Sequence, residues 1–306
     1  MKNLTKKHFL LLLTVVLGFS NSSFATIDPT NSATRSYKEV KSIIEKLAAD
    51  HPGNASIFEL GIGDTGEMIE GLKVGNGPVS NLVVGTHHGN EYGATEVALA
   101  VAESLAVAPI QGQTVFVLPV LNISGYNAKE RRETKGSETF DPNRNYPGPC
   151  GTEGPFTLKS TAALATFIDK QNIVTSATLH TFYPAVVYPW GLASQDLSTH
   201  YDDQFKDLVK AATVESGYAT GNSTQVIYAA DGTYEDFAFW QHGIWSILFE
   251  LGDTHTPSPD QVTTMVQVNV PGIRRMLEQA PRVRAEKHAF EGKCDTSVRI
   301  TDKHDE

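Results

Sequence analysis

The run 114–121 holds this chain to one kind of architecture. Val115, Phe116, Val117 and Leu118 follow one another with no polar alternation, the pattern of a strand buried on both faces. Such a strand needs helices on each side of its sheet, and the rest of the chain supplies them. Helical spacing runs through 37–49 (Val40, Ile43, Ile44, Leu47), 94–108, 159–170, 201–216, 233–241 and 259–276. Strand patterns alternate with these at 56–62, 69–74, 81–85, 176–180 and 246–251. Pro52-Gly53 stops the first helix, and Gly63-Asp64-Thr65-Gly66 turns the first strand pair. Pro271 is expected to kink or interrupt the last helix. This order predicts an α/β domain of three layers, αβα, around a mixed, twisted, largely parallel sheet. One stretch breaks the rhythm: 122–155 dissolves into Gly, Pro, Asn and charge, and so long an irregular segment is expected to be functional.

The first residues stand apart. Lys2, Lys6 and Lys7 precede an apolar run at 9–19, and Ser23-Phe24-Ala25 has the small-x-small form of a cleavage site. That run is too short for a membrane span, so the expectation is a signal peptide over 1–25 and an exported chain, periplasmic or secreted. A polar lead-in at 26–36, expected to be loose through Arg35, one domain at 37–282 and a polar tail at 283–306 are expected to follow. No cysteine lies at the cleavage region and no later stretch is apolar enough to span a bilayer, so no membrane anchor is expected.

Without the three signal lysines, the chain carries 22 basic against 35 acidic residues, a net charge of −13. That balance argues against nucleic acid or an anionic membrane surface as partner. Cys150 and Cys294 are the only cysteines. An oxidising compartment allows them one intramolecular bond, worth about 4–5 kcal/mol for so long a loop; two buried thiols are the alternative.

At the end of the strand at 81–85, His88 and Glu91 stand three positions apart, separated by Gly89 and Asn90, which tolerate the backbone of a tight turn. An imidazole and a carboxylate suit a catalytic zinc ion, which with one more protein ligand keeps a position for water. Alone, His-x-x-Glu is a weak signal, more often an ordinary surface turn. Four further pieces accompany it. His180 closes a strand. Asp141-Pro142-Asn143-Arg144-Asn145 places an arginine between two asparagines in a loop fixed by proline, suited to bidentate recognition of a carboxylate. Lys129-Glu130-Arg131-Arg132-Glu133-Thr134 reads otherwise as a solvated charge run. Last, Tyr228 precedes Asp231-Gly232, and Glu250 ends the apolar strand Ile247-Leu248-Phe249, where a carboxylate is costly to bury without a partner. His88, His180 and Glu250 all fall at strand ends, where α/β folds gather catalytic groups.

In this order, from Glu59 to Asp253, the pieces resemble the zinc metallocarboxypeptidase family of the carboxypeptidase A type. The resemblance implies one Zn2+ per chain on His88, Glu91 and His180, with His87 a neighbour out of register. It implies that Asn143 and Arg144 hold a peptide's free C-terminal carboxylate, that Tyr228 closes over it, and that Glu250 is the general base. The family's oxyanion arginine is followed by any residue and then Thr or Asn, which Arg132-Glu133-Thr134 fits better than Arg131. Zinc would bring the pKa of its water to about 7 and polarise the scissile carbonyl. Glu235 falls at the floor of the family's specificity pocket; an acid there implies preference for C-terminal Lys or Arg, or for diaminopimelate in wall peptides. The plainer reading makes Glu235 a solvated helix residue. The interval from Glu91 to His180 is shorter than in the digestive enzymes, so groove specificity does not carry over. Two rivals are a zinc amidohydrolase of the aspartoacylase or succinylglutamate-desuccinylase type, acting on N-acyl amino acids, and a non-catalytic zinc or peptide-binding protein on the same scaffold. The intact set of ligands, base and Asn-Arg-Asn favours the peptidase.

Overall fold

The structure is a computed structural model, and it describes residues 27–152, 154–287 and 289–295. The expected signal peptide and the end of the polar tail lie outside these residues.

The elements follow the predicted alternation: α1 (Tyr37–Asp50), β1 (Ala55–Ile62), β2 (Met68–Gly75), β3 (Val79–Gly85), α2 (Tyr92–Val107) and β4 (Gln113–Leu118). Within the irregular stretch come α3 (Ile123–Ala128) and the small hairpin β5 (Glu133–Lys135) and β6 (Glu138–Phe140). Then come α4 (Lys159–Lys170), β7 (Ile173–His180), β8 (Ala185–Tyr188), α5 (Asp202–Ala212), β9 (Ala219–Asn222) and α6 (Ser223–Val226). The last are α7 (Tyr234–His242), β10 (Trp245–Glu250) and α8 (Pro259–Gln279).

Eight strands form one mixed sheet in the order β1-β2-β4-β3-β7-β10-β8-β9. Its middle, β4-β3-β7-β10, is parallel. β4 and β7 are buried at every position, so the unalternating run Val115 to Leu118 lies in the sheet's middle. The chain leaves β3 toward β4 through α2, then crosses back past β3 to β7 through α4. Right-handed crossovers in opposite directions put α2 and α4 on opposite faces, which makes the third layer. They also leave a switch point between the neighbours β3 and β7, where open α/β sheets form their binding crevice.

Three differences from the sequence reading have physical causes. The lead-in is not loose: Asp28 caps a short turn at Pro29–Asn31, and Arg35 is buried against Glu96 of α2 at 2.8 Å. α8 runs through Pro271 as one helix. Val270, Ile273, Met276 and Leu277 are buried around it, and four apolar side chains at about 1.5–3 kcal/mol each outweigh one lost helix bond. β8 and β9 were missed because they are four residues each, and β9, Ala-Thr-Gly-Asn, takes its extended form from pairing with β8 rather than from propensity. The two cysteines form the Cys150–Cys294 disulfide across 144 residues.

Candidate active site

The turn after β3 is aimed by its backbone. Thr86, a β-branched residue, sits at φ +59°, a costly conformation. Its hydroxyl is held between Thr95 Oγ1 at 2.6 Å and the Pro119 carbonyl at 3.2 Å. Gly89 is needed for close approach rather than for turn angles: a Cβ there would lie 1.9 Å from the carbonyl carbon of Gly125. Glu91 is the N-cap residue of α2, where the helix dipole favours a carboxylate. On the neighbouring strand, His180 is the last residue of β7, and in the next parallel strand Glu250 stands in register beside it. Leu251 N–H donates to the His180 carbonyl at 2.8 Å, so the pair is fixed by the sheet itself.

Three potential ligands converge in this crevice, all buried. His88 Nδ1 lies 2.8 Å from Glu91 Oε1 and 3.2 Å from His180 Nδ1, and His180 Nδ1 lies 3.0 Å from Glu91 Oε2. Glu91 Oε2 nonetheless has no aligned hydrogen-bond partner among the described residues. Two imidazole nitrogens facing each other and a carboxylate with a spare lone pair form a donor set without enough protons to satisfy it, and His, His, carboxylate fits zinc. Burial pushes the Glu91 carboxyl up, but His88 and His180 outweigh it and hold it below the usual carboxylate range.

Behind His88 stands a residue whose part the sequence reading did not foresee. Asp141 Oδ1 lies 3.1 Å from His88 Nε2, which fixes the ring so that Nδ1 faces the centre. Its other oxygen accepts from Arg131 Nε at 3.1 Å and Nη2 at 2.8 Å. Burial opposes ionisation of Asp141, but His88, Arg144 and Arg131 keep its carboxyl well below the ordinary range. The signal was in the sequence as the acid opening Asp141-Pro142-Asn143-Arg144, read there only as part of a loop.

Of the two candidate arginines, Arg131 is the one placed beside the ligand group. The Arg131 guanidinium reaches 3.3 Å from His88 Nδ1, because the Arg131 carbonyl is tied by Gly89 N–H at 3.2 Å and Asn122 Nδ2 at 3.2 Å. Those bonds set the register of the 129–134 run against the turn after β3. Arg132 is half-buried next to it, its carbonyl facing Gly125.

The pocket beside these groups is lined at once by His88, His180, Glu250, Arg144, Tyr228 and Glu235. Asn143 Oδ1 accepts Tyr234 N–H at 2.9 Å, which ties the carboxylate-type loop to α7. Arg144 Nη1 donates to the Asn143 carbonyl at 2.8 Å and Nη2 to Tyr228 Oη at 3.3 Å. Glu235 is buried and accepts from the Thr178 hydroxyl, so it is not the solvated residue of the plainer reading. Among the described residues no cation pairs with it. Beside it, burial raises the Asp236 carboxyl well above its usual range, while both its oxygens lie 3.0 Å from Gly191 N–H.

Comparison with known proteins bears on this arrangement directly. A family model for zinc carboxypeptidases matches residues 40–272. The chain belongs to the zinc carboxypeptidase family. A carboxypeptidase B from Astacus astacus is 28% identical over 262 residues, covering 71% of this chain and 86% of the relative. Among solved structures, bovine thrombin-activatable fibrinolysis inhibitor in complex with tick carboxypeptidase inhibitor is similar with a TM-score of 0.73 at 17% identity, over 79% of this chain and 95% of that one. Murein-tripeptide amidase MpaA from Escherichia coli O157 shares the fold at a TM-score of 0.52 and 14% identity, over 74% and 93% of the two chains. This zinc carboxypeptidase is thus a metallocarboxypeptidase hydrolase of a zinc-using family, with His88, Glu91 and His180 as the group that could hold the ion. In it, Glu250 Oε2 is buried with no hydrogen-bond partner among the described residues, and burial together with the Glu91 charge raises its carboxyl well above the ordinary range. Arg131 and Arg144 pull in the opposite direction.

Proposed function

We propose that the protein removes single residues from the C-terminal end of peptides, with a preference for basic C-terminal residues, in an exported setting. The observation that supports this most is the single pocket shared by His88, His180 and Glu250, by Arg144 with Tyr228, and by Glu235. Arg144 and Asn143 bind the terminal carboxylate, the guanidinium fork matching its two oxygens. Tyr228, whose hydroxyl now accepts from Arg144, exchanges that partner for the substrate carboxylate. Glu235 receives the ammonium or guanidinium of the terminal side chain, because a buried carboxylate without a cation gains most from one.

His88, Glu91 and His180 would hold the zinc, with Asp141 orienting His88. When bound, zinc would supply an acidified water and a polarised scissile carbonyl, and its charge would oppose the causes that raise the Glu250 carboxyl. Glu250 takes the proton of the attacking water and passes it to the leaving amine nitrogen. Arg131 donates to the carbonyl oxygen as negative charge develops there, a task commonly worth about 3–4 kcal/mol per donor. Release follows as the freed amino acid leaves the Arg144 side. The signal peptide expected over 1–25 and a disulfide of the kind that persists in oxidising compartments would both suit export.

Peptides identical but for a C-terminal Lys, Arg, diaminopimelate, Phe or Lys-amide test this reading. The expected result is a kcat/KM for Lys or Arg at least about tenfold above Phe, and no cleavage of the amide. Preference for Phe removes Glu235 from recognition, and cleavage of the amide removes Arg144. A diaminopimelate peptide outrunning Lys would turn the reading toward cell-wall peptides, whose terminal residue carries an ammonium and an additional carboxylate.

A further inference from the structure

The polar tail is more than a terminus. Val283 O accepts from Trp245 Nε1 at 2.9 Å and Ala285 N–H donates to the Gly243 carbonyl at 2.7 Å, which lays the chain past the start of β10. Arg284 donates to the carbonyls of Ile168 and Ile173, both at 2.7 Å. Phe290 packs on Trp190 with ring centres 5.3 Å apart. The tail then pairs with the segment after Trp190: Gln195 N–H donates to Lys293 O at 3.0 Å, and Asp295 N–H to Ala193 O at 2.8 Å. Between those two bonds stands Cys294, bonded to Cys150.

Each end of this strap touches a wall of the substrate pocket. Cys150 lies six residues beyond Arg144 in a loop without regular structure, with Gly151 and Gly154 at positive φ. Gly191, three residues before Ser194, lines the pocket itself. The Tyr228 segment is tied to the same wall, with Ala230 N–H donating to Gly191 O at 2.6 Å and Ala193 N–H to Asp231 Oδ1 at 3.3 Å. That segment returns to the Arg144 loop through Tyr146 N–H to Gly232 O at 3.0 Å. The links form a closed ring: Arg144 loop, disulfide, tail, Gly191 wall, Tyr228 segment, Arg144 loop. The disulfide is its one covalent closure between distant parts of the chain.

We infer that Cys150 and Cys294 are positioning residues for substrate recognition: their bond fixes the spacing of the Arg144 and Gly191 walls, and so the grip on the terminal residue. This rests on the proposed carboxypeptidase reading. His88 and Glu91, in the turn after β3 and at the start of α2, and His180 and Glu250, at the ends of β7 and β10, stand outside the ring, so loosening it weakens binding and leaves the chemical step in place. Loss of a purely structural disulfide would lower thermal stability alone, and stability therefore does not discriminate.

The test compares wild type with Cys150→Ser/Cys294→Ser on a peptide ending in Lys. KM is expected to rise about tenfold with kcat within about twofold, the signature of lost uniform binding. An unchanged KM in the folded variant overturns the inference, as does a collapse of kcat at constant KM. If the variant does not fold, the bond in folded wild type is opened with a non-thiol phosphine, Cys294 being exposed. Complete opening, read as two alkylated thiols by mass, must give the same rise in KM; an unchanged KM there overturns the inference equally. Wild type that releases no C-terminal residue refutes the carboxypeptidase reading instead, so the two failures are told apart.

Discussion

His88, His180 and Glu250 stand at or just beyond the ends of β3, β7 and β10, three strands hydrogen-bonded side by side. Asn143, Arg144 and Tyr228 come instead from loops, held by a few bonds to α7, by one another and by the disulfide strap. The first group needs a spacing good to fractions of an ångström, because a metal and a proton transfer depend on it, and a buried sheet supplies that. The second must admit a substrate and let it go, and loops allow the movement. In the proposed reading, chemistry rests on the strand-end group and recognition on the loop group. Variants in the first group should therefore act on kcat or on metal content, and variants in the second on KM.

The largest effect is expected at Glu250. Glu250→Gln should lower kcat by about a hundredfold to ten-thousandfold while zinc content stays unchanged, as metal analysis beside steady-state rates would show. Retained turnover would leave the strand-end half without its base. Next, Arg131→Ala should cost about 3–4 kcal/mol in kcat/KM, mostly through kcat, and Arg132→Ala much less. The reverse order would restore the register that the motif spacing implied.

Asp141→Asn removes the anion behind His88. Zinc affinity measured by competition with a chelator should fall about tenfold to a hundredfold; no change would mean that the sheet alone sets the ring. The smallest effect concerns Glu133, two residues beyond Arg131 and buried against the Ser160 hydroxyl at 2.6 Å. Burial raises its carboxyl from 4.5 to about 7. A carboxyl raised on folding contributes stability that is complete below pH 4.5 and lost as pH rises through 7. Glu133→Gln should thus flatten the decline in stability between these values and stabilise the protein at pH 8 by about 1–3 kcal/mol, read by denaturant melts at several pH values. An equal decline in the variant would remove Glu133 as its source.

Legibility in the sequence follows the same division. The middle of the sheet was readable because burial on both faces leaves runs such as Val115 to Leu118 that no other context explains. His88 and His180 were readable as members of a possible metal group because strand ends project ligand-type side chains at predictable places. That Arg131 lies next to His88 was not legible, because its register is set by Gly89 and Asn122, partners 42 and 9 positions away that local spacing cannot reveal. Asp141 escaped notice because its task, holding His88 and Arg131 together, exists only once three separate segments have met. Arg35 looked like part of a free lead-in until Glu96 of α2 was placed beside it.

The most direct test reads zinc content and product masses on one preparation, with a peptide ending in Lys. The account predicts about one zinc per chain, a product shorter by the C-terminal lysine alone, loss of that activity on chelation and its return when zinc is restored. Cleavage within the peptide, or unchanged C-terminal trimming after the zinc has been removed, would contradict it.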